Sequence, residues 1–398
     1  MIDRLIASQP PSCPRGRTED RHHNPSLLQC PRSSLRRVRY AFVRLSAQPS
    51  TVIYSDSVCG NAVNPGGEHM KKGILQRLSE GPVLGDGGYI VELEKRGYVV
   101  AGAFTPELAL THPDAIREMH REFLHAGAEV LQVMAFYGSR EKLATVGKAD
   151  RTFEVNQSAT RIAREVAGDN ALVAGDLSAT WKWQPDGPSK RSLVAGMFDE
   201  QIEAQSDVDF FIGETFWHLG EARLCLERIK AKTKLPAMIT VAFRAKPVTD
   251  DGVSAGECAR ILSGEGAEIV GVNCMRDPER TYPIIEEMRR ATKGFLAAQP
   301  VAFRCSDETP WFTGTAAFPD RLEPTQLTRH EMADFALKAR DMGVNYIGGC
   351  CGSVACHVRE MARLLGKGRE EQVWKPRPEA PMSETEFNWE RRQKVKAT

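Results

Sequence analysis

The sequence has no apolar run near the roughly 18 residues that a membrane-spanning helix requires, so a helical membrane protein is not expected. It has almost no net charge. Its 53 lysines and arginines against 52 aspartates and glutamates leave +1 over 398 residues, which removes the electrostatic footprint of a nucleic-acid or anionic-membrane partner. No Cys-x-x-Cys pair occurs, and ten cysteines are few for so long a chain. Without a secretory signal ahead of them, they read as reduced thiols of a cytoplasmic protein. No phosphate loop is present, and the nearest approach to a dinucleotide fingerprint, Gly264-Glu-Gly266, precedes a strand-like run instead of following one. The body of the chain shows no internal repeat and no low-complexity segment.

One absence is local. From Met1 to Met70 there are nine arginines and no lysine. Prolines and serines are scattered there and no helical or strand period persists. An Arg-rich transit peptide is disfavoured by Glu19, Asp20 and Asp56. Residues 1–69 are expected to be a disordered extension or an over-extended start, with the working chain beginning at Met70.

Beyond Met70 the chain is strongly periodic. Eight β-rich runs alternate with helical patterns: VLGDGG (83–88), EVLQVMAF (129–136), ALVAGDLS (171–178), DFFIGETF (209–216), AMITVAF (237–243), EIVGVNC (268–274), PVAFRC (300–305) and YIGGCCG (346–352). Helix starts are marked by Pro113, which suits a first turn, and by Ser254-x-x-Glu257 and Thr328-x-x-Glu331, which fit capping boxes. Strand–helix alternation implies parallel βαβ units, and eight of them imply an α/β fold, a (β/α)8 TIM barrel in a single domain over 70–367. Residues 368–398 form a short charged tail with Trp374 and Trp389, suited to embracing a second subunit of a homo-oligomer.

In such a barrel chemistry collects at the carboxyl ends of the strands. Asp86, Gly87 and Gly88 end strand 1, Tyr137 follows strand 2, Asp176 lies in strand 3, Glu214 ends strand 4, Asn273 and Cys274 end strand 6, and Cys350 and Cys351 end strand 8. Cys274 then shares one rim with the cysteine pair. Three sulfurs and one open position are the arrangement of a catalytic zinc, Zn2+, as distinct from a closed four-ligand structural site. Cys305, read as ending strand 7, competes as a ligand. Cys225, Cys258 and Cys356 fall in helical patterns and read as packing residues.

GDGG (85–88), GVNC (271–274) and GGCCG (348–352), with LEKRGYVVAGAFTPE (93–107) and HREFLHAGAEVLQ (120–132), resemble the homocysteine S-methyltransferase family, and within it the betaine-using branch. The resemblance runs from Leu84 to about Leu365. It implies a zinc-dependent barrel whose ligands are Cys274, Cys350 and Cys351. It implies substrates of small size, homocysteine and a methylated onium donor, and methionine as product. By the same resemblance Glu214 holds the homocysteine ammonium, Asp86 helps to position the amino acid, Gly87 and Gly88 present backbone amides to substrate, and Tyr137 contacts the donor.

The resemblance also marks departures. Where the betaine-using branch places a tryptophan and a tyrosine, this chain has Phe104 and Thr215. The rings of Phe136, Tyr137, Trp181, Trp183, Phe216 and Trp217 are the candidates to replace them. A sulfonium donor such as S-methylmethionine or dimethylsulfoniopropionate therefore stands beside betaine. The alternatives to a methyltransferase are a non-catalytic barrel that binds an amino acid or a metal, and a metal-free cysteine hydrolase or lyase.

Overall fold

The computed structural model describes residues 71–100, 106–184 and 187–368. The expectations for residues 1–69, for Phe104 and for the tail beyond Gly368 lie outside them. Eight parallel strands run β1 Val83–Leu84, β2 Val130–Gln132, β3 Leu172–Ser178, β4 Phe210–Phe216, β5 Ala237–Val241, β6 Ile269–Asn273, β7 Phe295–Gln299 and β8 Tyr346–Ile347, with helices between them. They form one sheet in the order β1-β8-β7-β6-β5-β4-β3-β2. This is a (β/α)8 TIM barrel, nearly closed, and no helix among the described residues is long and apolar enough to cross a membrane.

The ring lacks a ladder between β1 and β2, where one main-chain hydrogen bond and two carboxylates close the seam. The Glu129 amide donates to Leu84 O at 2.8 Å, and Glu129 Oε2 accepts from the Leu84 amide at 2.9 Å. One turn higher, Asp86 Oδ2 accepts from the Gln132 amide at 2.8 Å.

Two helix starts carry caps that the sequence announces. Thr328 and Glu331 form a reciprocal capping box, and Ser254 accepts from the Glu257 amide. Each satisfies amides that have no partner within the helix.

Strand 7 differs from the expected run at 300–305. The ladder occupies Phe295–Gln299 and stops at Pro300, which has no N–H to continue it. Strands 1 and 8 are also shorter than their apolar runs, because the glycine-rich segments after Leu84 and Ile347 leave the ladder, and strand 2 is confined to Val130–Gln132.

The barrel interior is apolar at its base. Ile74 and Leu78, from the helix Ile74–Glu80, plug it beneath Val83, Val130, Leu172, Phe210, Met238 and Ile269. Side chains alternate with period two along a strand, so the next inward positions can be read directly. They are Gln132, Asp176, Glu214, Thr240, Asn273 and Gln299, all buried. The interior thus changes from hydrocarbon to a polar layer just below the carboxyl rim.

Candidate active site

Two loops bring the three cysteines together. The segment after β7 lies between those loops and fixes their spacing. Gln299 O accepts from the Cys274 amide at 2.8 Å, Pro300 O accepts from the Cys350 amide at 2.9 Å, and the Ala302 amide donates to Cys351 O at 2.9 Å. Cys274 Sγ and Cys351 Sγ stand 3.8 Å apart. All three sulfurs fall within 4.8 Å of one another.

This geometry fits a tetrahedral metal. Sulfurs about 2.3 Å from zinc lie about 3.8 Å apart, far beyond a disulfide bond. All three cysteines are free thiols. Among the described residues the cluster holds three ligand groups from His, Cys, Asp or Glu and no fourth, which leaves one tetrahedral corner for a substrate. Hydrogen bonds from Cys274 and Cys350 pull the Cys351 thiol below its usual range.

Cys305 does not join them. With β7 ending at Gln299, Cys305 lies well past the strand, its amide donating to Asp277 Oδ2 at 2.9 Å, and its thiol is pushed up to about 12 by burial and the Asp277 charge. Cys225 and Cys258 are buried in the core, whereas Cys356 is exposed.

Glycine packing holds the cysteine loop in place. A Cβ on Gly88 would lie 2.5 Å from Cys350 O, and one on Gly87 would lie 2.4 Å from Ser353 O. The Gly88 amide donates to Ser353 O at 2.8 Å, so of the two amides expected to face substrate this one is already engaged.

Next to the sulfurs sits a carboxylate held by two amides. Gln132 Nε2 donates to Glu214 Oε1 at 2.7 Å, and Asn273 Nδ2 donates to Glu214 Oε2 at 2.6 Å. Asn273 Oδ1 in turn accepts from the Thr215 amide at 2.9 Å and from Thr240 Oγ1 at 2.8 Å. Burial, with the charge of Cys274 adding to it, pushes the Glu214 carboxyl up to about 7. Asp176 lies on the inner face of β3, where burial and then the charge of Glu214 raise its carboxyl well above the usual range. Its Oδ1 has no hydrogen-bond partner among the described residues.

Asp86 performs several tasks at once. Its carboxylate accepts from Tyr89 Oη at 2.6 Å and from the Gln132 amide. Its carbonyl accepts from the Gly349 amide at 3.1 Å, next to Cys350. Burial raises its carboxyl to about 7 against the pull of those hydrogen bonds. Tyr89 Oη also lies 2.8 Å from His120 Nδ1.

Strain marks the same rim. Five described residues other than glycine have positive φ: Tyr137, Trp181, Thr215, Cys274 and Met275. All follow or end β2, β3, β4 or β6 at their carboxyl ends. Such a backbone costs on the order of 1–3 kcal/mol per residue and persists where surroundings impose it. Thr215, β-branched and at φ 58°, is held by its bonds to Asn273.

The rings divide into two groups. Phe216 is fully buried against Phe198, and Trp183 packs on Gly220, where an added Cβ would lie 2.6 Å from the indole. Neither therefore takes part in a rim wall. Phe136, Tyr137, Trp181 and Trp217 form a chain with centroid separations of 4.1, 5.8 and 6.1 Å. Burial raises the Tyr137 phenol, and the charges of Cys274, Cys351 and Glu214 push it the same way.

A family model described as homocysteine S-methyltransferase matches residues 83–365. The chain belongs to the homocysteine S-methyltransferase family. It is 41% identical over 319 residues to betaine–homocysteine S-methyltransferase 1 of Bos taurus, covering 76% of this chain and 77% of that one. It is 39% identical over 311 residues to the S-methylmethionine–homocysteine S-methyltransferase of Pongo abelii, covering 75% and 83%. The metallated form of the homocysteine methyltransferase MmuM from Escherichia coli shares the fold, with a TM-score of 0.59 and 18% identity over 73% of this chain and 99% of that one. A homocysteine S-methyltransferase has to present an activated thiol to a methyl group, and the sulfur trio with its neighbouring carboxylate offers the parts.

Gln132 and Thr240 escaped sequence reasoning as site residues, and the sequence places Asn273 on the rim without assigning it a task. The available signal was a polar residue at an inward position of a strand whose other inward residues are apolar.

Proposed function

We propose that this protein transfers a methyl group from an onium donor to homocysteine, giving methionine, with Zn2+ held by Cys274, Cys350 and Cys351. The observation that carries the reading is the 3.8 Å separation of Cys274 Sγ and Cys351 Sγ, with Cys350 alongside and one corner open. A free thiol of this kind has a pKa of about 8.5, so only a small fraction is thiolate at neutral pH. Zinc bound at the trio supplies the positive charge that keeps the substrate sulfur deprotonated.

The protein's own residues then orient the reaction. Glu214, fixed by Gln132 and Asn273, accepts hydrogen bonds from the homocysteine ammonium. Gly87 offers its amide to the carboxylate, and Asp86 holds the cysteine loop through Gly349 while lining the cavity. Tyr137 flanks the line of approach between donor and sulfur. The sulfur lone pair forms the new S–C bond as the bond from methyl carbon to the onium atom breaks. The electron pair of that bond stays on the leaving atom, which departs as a neutral amine or thioether, and the thiol proton goes to solvent. No general acid is needed. The requirement is an oriented sulfur, an in-line methyl and a dry cavity.

A sulfonium donor is the second reading. Thr215 brings a hydroxyl engaged with Asn273 and no ring, and the S-methylmethionine-using relative is almost as similar as the betaine-using one. A non-catalytic barrel is disfavoured by five strained residues gathered on one rim. Three reduced thiols suit the cytoplasm.

The test is metal analysis together with methionine formation from homocysteine and glycine betaine, proline betaine, dimethylsulfoniopropionate or S-methylmethionine at matched concentrations. About one zinc per chain and methionine from at least one donor are expected. Full turnover after the zinc has been chelated away would sink the metal assignment. No methionine from any donor by zinc-loaded protein would sink the reaction.

A further inference from the structure

Three carboxyl groups lie buried under the rim, on Asp86, Asp176 and Glu214. None forms an ion pair among the described residues. Two of them are supplied with donors. Asp86 accepts from Tyr89 Oη and the Gln132 amide, and Glu214 accepts from Gln132 Nε2 and Asn273 Nδ2. Asp176 differs. It is 2% exposed, and its Oδ1 has no hydrogen-bond partner among the described residues. A buried acceptor left empty is costly unless something arrives to fill it.

The main chain of Asp176 is nevertheless fixed with care. Gln205, which follows the helix Pro188–Ala204, accepts from the Asp176 amide through Oε1 at 2.7 Å and donates to Asp176 O through Nε2 at 2.9 Å. Strand register then sets the direction of the carboxyl. On β3, Ala174 stands opposite Gln132 and Ser178 stands opposite Glu214. Asp176 is two residues from each, so at this inward position it adjoins both site residues diagonally. Its carboxyl feels them both, since the charge of Glu214 raises it and a hydrogen bond from Gln132 opposes the rise.

An occupant for Oδ1 must bring N–H groups and positive charge, because two neighbouring carboxylates repel each other without a cation. The positive centre of a trimethylammonium or sulfonium donor has no N–H to give. The homocysteine ammonium has three. Glu214, its expected partner, is tied to Asn273, the residue that precedes Cys274 in the sulfur trio. Each oxygen of Glu214 already accepts from an amide, so an ammonium there has N–H groups to spare for a second carboxyl.

We propose that Asp176 is a second acceptor for the homocysteine ammonium, which sits between its carboxyl and that of Glu214. This rests on the methyl-transfer reading and names a specificity-determining residue within it. Two carboxyls around one ammonium select an amino acid thiol over a thiol acid that lacks the amine.

The experiment uses zinc-loaded full chain and two thiols, homocysteine and 4-mercaptobutanoate, which is the same molecule without its amine. Binding of each is measured by calorimetry with no methyl donor present. Wild type is expected to prefer homocysteine. Asp176→Asn keeps the shape and removes the charge, and is expected to lower that preference about tenfold. Asp176→Leu removes the acceptor as well and is expected to lower it further. Binding of 4-mercaptobutanoate is expected to stay within about twofold in both variants, with zinc content unchanged. A merely structural role would weaken both thiols alike. A preference unchanged in Asp176→Asn, or an equal loss of both thiols, would overturn the proposal. The comparison of thiols needs no turnover, so absence of methyl transfer in wild type would overturn the parent reading separately.

Discussion

Cys274 and Cys351 are 77 positions apart in sequence and 3.8 Å apart at sulfur. Neither loop sets that distance alone. Residues 299–302 hydrogen-bond to the Cys274 loop on one side and to Cys350 and Cys351 on the other. Pro300 ends the ladder at the point where its carbonyl is needed for Cys350.

Replacing Cys274, Cys350 or Cys351 with alanine is expected to remove most of the metal and the activity, because two sulfurs do not fix the geometry. The melting transition of the barrel should persist, since its apolar base is remote from the trio. Metal analysis and thermal unfolding of the three variants check this, and a Cys351→Ala variant with undiminished turnover contradicts it.

Glu214→Gln is expected to raise the KM for homocysteine and leave zinc content unchanged. Losing a charge-assisted hydrogen bond costs about 1.5–3 kcal/mol, or roughly 10- to 150-fold in affinity. Steady-state kinetics beside metal analysis separates this from damage to the metal site. An unchanged KM with intact zinc would return Glu214 to a packing role.

Gly88→Ala is expected to weaken metal binding through steric displacement. The new methyl would lie 2.5 Å from the Cys350 carbonyl, an overpacking that costs about 1–3 kcal/mol. A zinc competition titration reads the effect, and wild-type affinity would show that the loop yields without moving its sulfurs.

His120 is fully buried, and burial lowers its pKa from 6.5 to about 3. Its Nε2 has no hydrogen-bond partner among the described residues. The unfolded chain binds a proton there below pH 6.5 and the folded chain does not until about pH 3. Folding therefore loses stability as pH falls through that window, by about 1.4 kcal/mol per unit for one proton. Asp86, with a carboxyl raised to about 7, acts in the opposite direction over much of the same range. The effect is isolated by comparison with His120→Gln. The stability of the wild type relative to the variant should fall between pH 6.5 and 5 in denaturant unfolding. A difference independent of pH would show that His120 binds its proton equally well in the folded and the unfolded chain.

The sulfur trio was legible because barrel strands send their carboxyl ends to one rim, so distant cysteines converge once the strands are counted. Glu214 was legible for the same reason. Strand 7 was not, since the run from Phe295 to Phe303 is apolar on both sides of Pro300, and periodicity does not say which half carries the ladder. The amides of Gln132 and Asn273 looked like ordinary polar alternation. The choice among rings was also hidden. Trp181 and Trp183 are two residues apart, yet one faces the rim and the other packs on Gly220. That separation is made by a positive φ at Trp181, which side-chain pattern does not encode.

Where β1 meets β2, the ring is fastened by one main-chain hydrogen bond, from the Glu129 amide to Leu84 O, and by the carboxylates of Glu129 and Asp86. Asp86 is also tied through its carbonyl to Gly349, beside Cys350. The barrel thus has one stave held by removable pins, and the upper pin belongs to the catalytic rim. Breathing of the fold should begin at this stave and reach the cysteine loop first. Amide exchange at Gln132 and Gly349 would then rise together, as two ends of a single latch.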